Sequence, residues 1–292
     1  MTKVKFVSIN VRGIASENKF VDFCQTLSQW ARKGEAHGAC LQEHNLDPQA
    51  KDVYTRIAAH YHLHLAIGFS DTPAHRGGCL ILADEATIPW VTTTHERPSL
   101  VSATYNFNGQ ELNIASVYAP SNEVLRIEFF SGLEALLSPQ TIVGGDWNCV
   151  PDVLLDVMGA NKLNYRNKGA PILDKVMVSL GLHDYRREQL DGAFEHTRKP
   201  DFDSTTVLTR LDRWYVPTHQ SFSGFLWDIQ VRCDLVWAPT SSDHQPVVLT
   251  IEPVEGERGH DRPTIREGLD LRTGHTEEDR RAHGSCVQRP CD

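Results

Sequence analysis

The chain has 292 residues, of which 40% are hydrophobic and 23% are charged, as in a globular protein with a sizeable core. Its formal net charge of −9 argues against a protein that coats nucleic acid through bulk positive charge, but not against an enzyme with a local basic groove. The seven cysteines are scattered without a close CxxC pair, which argues against a disulfide framework and a thiolate zinc site.

The first ten residues, MTKVKFVSIN, are too few and too alternating for a signal peptide. No apolar run in the sequence is long enough to span a bilayer. We therefore expect an intracellular protein, nuclear or cytoplasmic, with no membrane partner. The alternation itself predicts a first strand in VKFVSINV.

A helix is predicted directly after this strand. Ser16 is a suitable N-cap, apolar residues then recur at helical spacing, and Gly34 is placed to end the helix. The segment AHGACLQEH next predicts a short buried strand that ends in polar residues. Pro48 is placed to start a second helix that runs through Ala59.

The segment HYHLHL places three histidines two residues apart, as on one face of a strand. Such side chains stand about 6.6 Å apart, whereas nitrogens bound to one zinc converge on bonds of about 2.0–2.1 Å. We therefore interpret His60, His62 and His64 as a solvated strand face, with their apolar neighbours turned inward, rather than as a zinc site.

Two strand-like runs flank Asn108-Gly109, the preferred pair for a tight hairpin turn. A helix is predicted from about Val124 to Leu137, with Ser121 or Asn122 as its cap. Its apolar face is expected to consist of Leu125, Phe129, Leu133 and Leu136.

The segment TIVGGDWN predicts a strand, and GAPILDKVMVSLGL predicts a helix with Pro171 near its start and Gly181 at its end. RLDRWYV and HQPVVLTI are the last predicted strands. From Pro253 onward the sequence is dense in charge, glycine and arginine, so residues 253–292 are expected to form a disordered charged tail. Residues 1–252 are expected to form one mixed α/β domain, too rich in hairpins for a purely parallel sheet.

Within VGGDWN, Asp146 and Asn148 would point to the same side of an extended chain, with Trp147 between them turned into the core. Gly144 and Gly145 remove side chains just ahead, which would allow another backbone, an ion or a substrate to come close. Taken alone, this segment is more typical of a turn than of a site.

Several other predicted strands also end in, or lie beside, polar side chains. One edge of a sheet would bring all of them together, so their combination is more informative than any one residue. Carboxylates and amides in this number, with one histidine, suit a hard divalent cation, above all Mg²⁺, with Mn²⁺ as a substitute. The residues concerned are Asn10, Glu43, Tyr118, Asp146, Asn148, Asp212, Asp243 and His244.

At these residues the sequence resembles the endonuclease/exonuclease/phosphatase superfamily, and within it the apurinic-type endonuclease domain of LINE-like (non-LTR) retrotransposons. The resemblance covers Val4 to Ile251. It implies an α/β (α+β) fold, a four-layer sandwich of two packed, mostly antiparallel β-sheets flanked by helices, with the active site at one end. The motifs, in the family's order, are SINVRGI, LQEHNL, RGGCLIL, SVYAPS, VGGDWNCVPD, TRLDRWYV and SDHQPVVL.

The resemblance also implies roles around a metal and a water. Glu43 matches the principal metal ligand, assisted by Asn10 and Asp243. Asp146 matches the residue that orients or deprotonates the attacking water.

A second group of residues matches those that handle the phosphate. Tyr118 and Asn148 match groups that hold the scissile phosphate, and His244 matches the histidine that hydrogen-bonds it. Asp212 matches the carboxylate that orients this histidine. The Asp–His pair resembles the orienting half of a hydrolase triad, with water as the nucleophile.

Four further residues are candidates for substrate binding. Many relatives carry Asn after VYAP, whereas this chain has Ser121 followed by Asn122, and either is a candidate for that phosphate contact. Arg76 is another, although a turn beside a strand explains it nearly as well. Arg210 lies two residues before the candidate aspartate and so is expected to share its strand face and contact substrate, whereas Arg213 is expected to be structural.

The sequence therefore predicts a monomeric, Mg²⁺-dependent endonuclease that nicks one strand of DNA and derives from a retrotransposon. One alternative is a phosphatase of the same superfamily that acts on phosphoinositides or related phosphodiesters, because its catalytic core would be nearly identical. The other is a decayed retroelement fragment that folds but only binds. The absence of membrane-directed segments disfavours the first alternative, and the complete catalytic set disfavours the second.

Overall fold

The strands form two six-stranded sheets and one short two-stranded sheet. The computed structural model describes residues 3–14, 16–70, 77–159, 165, 167–200, 207–218, 224–235 and 242–254. In the first sheet the strands follow the order β13-β14-β1-β2-β4-β3. Their bounds are β1 Val4–Asn10, β2 Gly38–Gln42, β3 Leu63–Gly68, β4 Cys79–Asp84, β13 Phe225–Val231 and β14 Val247–Pro253.

The second sheet has the order β10-β12-β8-β7-β6-β5. Within the two sheets, the β1–β2 and β7–β8 pairs are parallel and the others are antiparallel, as predicted. The bounds are β5 Trp90–Arg97, β6 Leu100–Phe107, β7 Gln110–Tyr118, β8 Thr141–Asp146, β10 Leu182–His183 and β12 Asp212–Pro217. The short sheet pairs β9 (Val157–Met158) with β11 (Leu208–Thr209).

Helices begin and end at the residues whose chemistry favours it. The Ser16 side chain accepts a hydrogen bond from the Lys19 backbone and starts α1 (Glu17–Lys33), and Gly34 ends it at a φ of 68°. The Asn108-Gly109 turn has positive φ at both residues, which confirms the predicted hairpin. The other helices are α2 Lys51–His60, α3 Glu123–Gly132, α4 Val153–Asp156, α5 Ala170–Ser179 and α6 Tyr185–Leu190, and Pro48–Ala50 and Leu133–Ala135 form 3₁₀ turns.

The helices and the two sheets form four layers, and an apolar core lies at each of the three interfaces between them. Between the sheets, Phe6 of the first sheet contacts Trp214 of the second edge-to-face, with ring centroids 6.5 Å apart. Phe20 and Tyr54, from α1 and α2, pack on the outer face of the first sheet. Phe130 of α3 packs, together with α5, on the outer face of the second sheet. The predicted four-layer sandwich is confirmed.

The apolar face predicted for the helix at α3 is correct for Phe129, Leu133 and Leu136, which pack in the core, and wrong for Leu125. Leu125 is 55% exposed, whereas its neighbour Arg126 is buried. The Arg126 guanidinium donates to the carbonyl oxygens of Pro120, Ser121 and Lys168, which lie under the helix start. These bonds give partners to both terminal nitrogens of the buried guanidinium, whereas its Nε has none among the described residues.

The strand predicted across HYHLHL begins later than expected. His60 is the last residue of α2, and the chain leaves this helix through His62 at a φ of 58°. β3 begins at Leu63, so only His64 lies on a strand. Its ring stacks on Trp90, and its Nδ1 lies 3.1 Å from the Tyr105 hydroxyl oxygen. The expected strand face of three histidines is therefore wrong, because only His64 lies on the strand.

The last strand runs to Pro253, one residue past the predicted domain end. Residues 255–292 of the predicted tail lie outside the described residues. Among the helices described, none combines the length and the apolarity needed to cross a membrane.

Candidate active site

The polar strand ends meet at one end of the sandwich. In the second sheet, Asp146 at the end of β8 pairs in register with Tyr118 at the end of β7 and with Asp212 at the start of β12. In the first sheet, Asn10 ends β1, and Glu43 follows the neighbouring strand β2. Strand pairing therefore brings the side chains of each sheet together at one edge, and a contact between the two sheets joins the two groups.

Asn10 makes that contact. Its Nδ2 donates to Glu43 Oε1 and to Asp146 Oδ2, both at 2.9 Å, so one amide lies between carboxylates from the two sheets. Its Oδ1 accepts from the Arg12 backbone N–H at 3.0 Å, and the residue is buried. Because the amide hydrogens face both carboxylates, they reduce the repulsion that would otherwise separate two like charges.

Glu43 receives a second hydrogen bond, from the Tyr118 hydroxyl at 2.9 Å. Burial and the nearby Glu43 carboxylate raise the pKa of Tyr118, so this hydroxyl keeps its proton and donates. Glu43 itself adopts a φ of 54°. This left-handed conformation costs a non-glycine residue on the order of 1–3 kcal/mol and is concentrated at functional sites.

The corner after β8 holds Asp146 from the other side. Asp146 Oδ1 accepts from the Asn148 backbone N–H at 2.9 Å, and Asn148 has a φ of 46°. The Asn148 Nδ2 donates to the Ala119 carbonyl oxygen at 2.8 Å, which ties the corner to the end of β7. Trp147 between them is fully buried against Phe130, as predicted.

The two glycines before this corner make room for the protein itself. A Cβ at Gly144 would lie 2.5 Å from the Trp214 ring, and a Cβ at Gly145 would lie 2.0 Å from the Val117 carbonyl oxygen. The sequence analysis allowed another backbone, an ion or a substrate beside these glycines. The structure places a backbone and an aromatic ring there. The pair therefore allows close packing of β8 against its neighbours.

His244 and Asp212 form a buried ion pair beside Asp146. The His244 Nδ1 lies 2.8 Å from Asp212 Oδ2, and its Nε2 lies 4.0 Å from Asp146 Oδ2. Burial alone would lower the pKa of His244, but Asp212, Asp146 and Asp243 outweigh it and raise the pKa to about 9. Burial raises the pKa of Asp146, a shift that the charge of His244 opposes and that of Asp212 reinforces.

Thr197 completes this pair and was not singled out in the sequence. Its hydroxyl donates to Asp212 Oδ2 at 2.7 Å and accepts from the backbone N–H groups of Leu211 and Asp212. It therefore fixes the rotamer of Asp212. A threonine in an irregular segment 15 residues before its partner gives no periodic signal that would predict this contact.

Two groups of side chains are candidates to hold a cation. Asp146, Asp212 and His244 each offer a ligand atom, and these atoms lie within 4.8 Å of one another. These side chains already have hydrogen-bond partners, however. A hydrogen-bonded Asp–His pair is better suited to proton transfer and phosphate contact than to binding a cation. Glu43 is half-buried and offers the oxygen donors that Mg²⁺ prefers. Asn10, beside it, turns its nitrogen rather than its oxygen toward Glu43, so ligation by Asn10 would require its amide to turn over.

One acceptor of the Asp212–His244 pair has no partner in the part of the chain that the structure describes. The Asp212 Oδ1 atom is buried and has no hydrogen-bond partner among the described residues. A buried acceptor of this kind is satisfied by a hydrogen-bond donor or a cation supplied from outside the chain.

Asp243, predicted to assist the metal, has both oxygens engaged. Its Oδ1 lies 3.2 Å from an Arg12 guanidinium nitrogen, and its Oδ2 accepts from the Arg198 Nε at 2.9 Å. A metal bound by Asp243 would compete with both arginines, so its ligand role stays a prediction. Neither arginine was singled out in the sequence, because each is a single cation in a loop.

The predicted substrate contact of Arg210 is wrong. Arg210 precedes β12, and its side chain is 1% exposed. Its Nε donates to Asp156 Oδ1 at 2.8 Å, and its terminal nitrogens bind Asp184, while Arg187 binds the same Asp156. Arg210 is thus the centre of a buried ion-pair network. Arg213 is also buried and donates to backbone carbonyl oxygens, as expected for a structural residue.

Arg210→Ala is therefore expected to destabilise the protein rather than to impair substrate binding. Removing one partner of a buried ion pair typically costs about 3–5 kcal/mol, because the carboxylates that remain are buried with too little positive charge. For a domain of this size, the melting temperature would fall by about 6–20 °C. Thermal unfolding followed by circular dichroism measures this, with the exposed Arg56→Ala as the matched control. Equal melting temperatures for the two variants would contradict the structural role.

The remaining predicted substrate contacts lie in two loops. Ser121 is exposed, and its carbonyl oxygen accepts from the buried Arg126. Asn122 is exposed but caps α3, since its Oδ1 accepts from the backbone N–H groups of Val124 and Leu125. Ser121 is thus the freer candidate of the two. Arg76 lies outside the described residues.

The comparison of sequences gives one partial match. No family model matches the chain. An uncharacterised 149 kDa protein of the transposon TX1 from Xenopus laevis is 28% identical over 117 residues. The aligned segment covers 38% of this chain and 9% of that protein, so the chain spans a small part of this relative's length.

The comparison of structures covers most of the chain. The endonuclease domain of TRAS1, a telomere-specific non-LTR retrotransposon, is 16% identical, with a TM-score of 0.59 over 87% of this chain and 100% of that domain. The catalytic domain of APE2 from Xenopus laevis is also 16% identical, with a TM-score of 0.65 over 87% of this chain and 94% of that chain. At these identities the similarity establishes the fold, and the fold implied by the sequence motifs is confirmed.

Proposed function

We propose that this protein is a divalent-metal-dependent phosphodiesterase, an endonuclease of retrotransposon origin that nicks one strand of DNA. The observation that carries the proposal is the continuous polar network at the strand ends. In it, Asn10 joins Glu43 to Asp146, and the His244–Asp212 pair lies beside Asp146. The similarity in fold to the TRAS1 endonuclease domain, and in sequence to a TX1 transposon protein, supports both the activity and the origin.

Hydrolysis of a phosphodiester requires a water aimed at phosphorus and donors aimed at the oxygens that gain charge. Asp146 is the group for the water: both its oxygens are held by hydrogen bonds, from Asn10 and from the Asn148 backbone. In this role it orients the water and accepts its proton. The fixed carboxylate requires little rearrangement at the moment of attack.

His244 is the donor for the phosphate. Its Nδ1 is bound by Asp212, which leaves Nε2 to donate to a non-bridging oxygen. Thr197 holds Asp212 in turn, so a chain of three side chains fixes the direction of the imidazole. Tyr118 and Asn148 lie on either side of Asp146: the second Nδ2 hydrogen of Asn148 is a further donor for the phosphate, whereas the Tyr118 hydroxyl would have to exchange its bond to Glu43 for one to the phosphate.

We propose Mg²⁺ as the cation, with Mn²⁺ as a substitute, held by Glu43 with Asn10 at its side. When bound, such an ion neutralises charge on the phosphate and on the leaving oxygen. The left-handed backbone at Glu43 and its hydrogen bonds to Asn10 and Tyr118 fix the direction of its carboxylate. Glu43 is thereby oriented before any ion arrives.

Glu43→Gln is expected to weaken Mg²⁺ binding by about tenfold or more, because loss of a group that merely supports a metal ligand already costs 10–100-fold. The amide keeps an oxygen that can accept from Asn10 and Tyr118, so the fold should persist. Isothermal titration of the protein with MgCl₂ measures the affinity, and Glu128→Gln, an exposed change on α3, is the control. Equal affinities for the two variants would remove Glu43 from the metal site.

The substrate class is tested by two assays run in parallel. The proposal predicts Mg²⁺-dependent nicking of supercoiled plasmid and no phosphate release from soluble inositol phosphates. The phosphatase alternative predicts the reverse, since its substrate is a small phosphorylated headgroup. A protein that binds duplex DNA but hydrolyses neither substrate would favour the decayed element that only binds.

A further inference from the structure

Two arginines lie at the edge of the catalytic network and share one carboxylate. Arg12 and Arg198 each bind a different oxygen of Asp243, at 3.2 and 2.9 Å. The Asp243 side chain is 4% exposed, whereas those of Arg12 and Arg198 are 49% and 37% exposed. The cluster therefore has a buried anion at its base and two guanidinium groups at the surface.

The backbone positions both arginines relative to the catalytic groups. Arg12 has a φ of 47°, and its N–H donates to Asn10, the residue that also joins the two candidate catalytic carboxylates. Arg198 pairs through its backbone with Thr209 and forms an isolated bridge with His244. Left-handed backbone at an arginine is uncommon and costs free energy, so its occurrence beside the site indicates a functional constraint.

The charges of this cluster do not cancel. One carboxylate faces two guanidinium groups, which leaves an excess of one positive charge at the surface. Guanidinium groups match phosphate oxygens with two parallel donors, and their partial exposure means that binding an anion costs little desolvation. In a chain with a net charge of −9, such a local excess is a suitable place for a polyanion to bind.

The cluster lies directly beside the candidate catalytic histidine. Asp243 Oδ1 lies 3.9 Å from His244 Nε2, the atom assigned above to the scissile phosphate. Each phosphate of a DNA strand has a neighbouring phosphate one nucleotide away along the same backbone. A polynucleotide bound at His244 carries further phosphates beside the scissile one, and Arg12 and Arg198 border the histidine on the side of Asp243, whereas a small phosphodiester has no second phosphate to place there.

We propose that Arg12, Asp243 and Arg198 form a second phosphate subsite, which binds the backbone phosphate next to the scissile one and selects a polynucleotide over a small phosphodiester. This inference rests on the proposed function, because it takes His244 as the contact to the scissile phosphate. Asp243 holds the two guanidinium groups apart and in place, and the arginines supply the contacts.

The test measures binding of a fluorescein-labelled DNA duplex to the full chain by anisotropy, with chelator present, over a range of salt concentrations. Arg12→Ala and Arg198→Ala are each expected to raise the Kd about tenfold. Each should also reduce the slope of log K against log salt by about one, the effect of losing one phosphate contact. Arg32→Ala, an exposed change in the last turn of α1, is the control and should leave both quantities as in the wild type.

A second measurement compares substrates in the presence of Mg²⁺. In both arginine variants, the loss of kcat/KM on duplex DNA should exceed the loss on bis(4-nitrophenyl) phosphate by about tenfold. Equal losses on the two substrates would overturn the subsite and make the arginines positioning residues for Asp243. Unchanged binding of the duplex, or a wild-type protein that does not bind it, would overturn the subsite as well.

Two features keep the test decisive. If an alanine variant fails to fold, the corresponding lysine variant is measured, since it keeps a cation beside Asp243 but lacks the planar pair of donors. It should bind the duplex less tightly than the wild type, and wild-type affinity would count against the subsite. A wild-type protein that binds the duplex through both arginines but hydrolyses no phosphodiester would refute the proposed function and leave the subsite standing.

Discussion

Asp146→Asn is expected to lower the rate of DNA nicking by about 10²–10⁴-fold, the usual loss when a general base is removed. The amide has nearly the volume of the carboxylate and keeps one acceptor, but it cannot take a proton from water. The remaining oxygen of the substituted side chain can still accept one of the two hydrogen bonds that hold Asp146, from Asn10 or from the Asn148 backbone, so the fold should persist. Plasmid nicking under single-turnover conditions measures the rate, and circular dichroism verifies that the variant is folded.

Asp174→Asn is the matched control for this variant. It makes the same chemical change at an exposed position on α5, away from the strand ends. The control should nick plasmid at the wild-type rate. If a folded Asp146→Asn variant also did so, Asp146 would not be the group that activates the water, and the proposed mechanism would fail at its first step.

His244→Asn is expected to lower kcat by about 10²–10³-fold, the loss found when one preorganised donor to a developing charge is removed. The shorter side chain cannot bind Asp212 and reach a phosphate oxygen at the same time. It also leaves Asp146 and Asp212, paired in register on adjacent strands, without the imidazole between them. A lower melting temperature should therefore accompany the kinetic loss.

The control for this variant is His60→Asn, at the exposed C-terminal end of α2. Both variants are compared with the wild type in kcat on plasmid and in melting temperature. A His244→Asn variant that is destabilised but has the wild-type kcat would show that the histidine stabilises the fold without contacting the phosphate.

The positions of the site residues could be predicted because they follow buried strands. A buried strand becomes polar where it leaves the core. Strand register aligns this end with the ends of the neighbouring strands, at the same edge of the sheet. Asn10, Glu43 and Asp146 each come directly at or after such an end. The grouping was correct, but the expected single sheet edge was not: the residues lie on two sheets, and the amide of Asn10 links them.

The role of Arg210 could not be predicted from strand periodicity. The argument from a shared strand face assumed that β12 included Arg210, but this strand begins at Asp212. The partners of Arg210, Asp156 and Asp184, lie 54 and 26 residues away along the chain. A buried ion pair between such distant residues leaves no pattern in the sequence, because each charged residue alone resembles a solvated one.

The error in α3 has a similar origin. Its apolar residues recur at helical spacing, yet Leu125 is exposed and Arg126 is buried. The Arg126 guanidinium binds carbonyl oxygens of loops whose path the sequence does not reveal. Hydrophobic periodicity predicted this helix and the inward position of Phe129, Leu133 and Leu136 correctly, and that of Leu125 incorrectly.

The most direct test of the central claim is the conversion of supercoiled plasmid to the nicked circular form by the wild-type protein, with Mg²⁺, with excess chelator, and with Mg²⁺ restored. A metal-dependent endonuclease of the kind proposed should produce the nicked form with Mg²⁺, stop when chelator is added, and resume when the ion is returned. The Asp146→Asn variant, prepared in the same way, should produce almost none. Nicking that continues unchanged in chelator, or that the variant performs as fast as the wild type, would contradict the account.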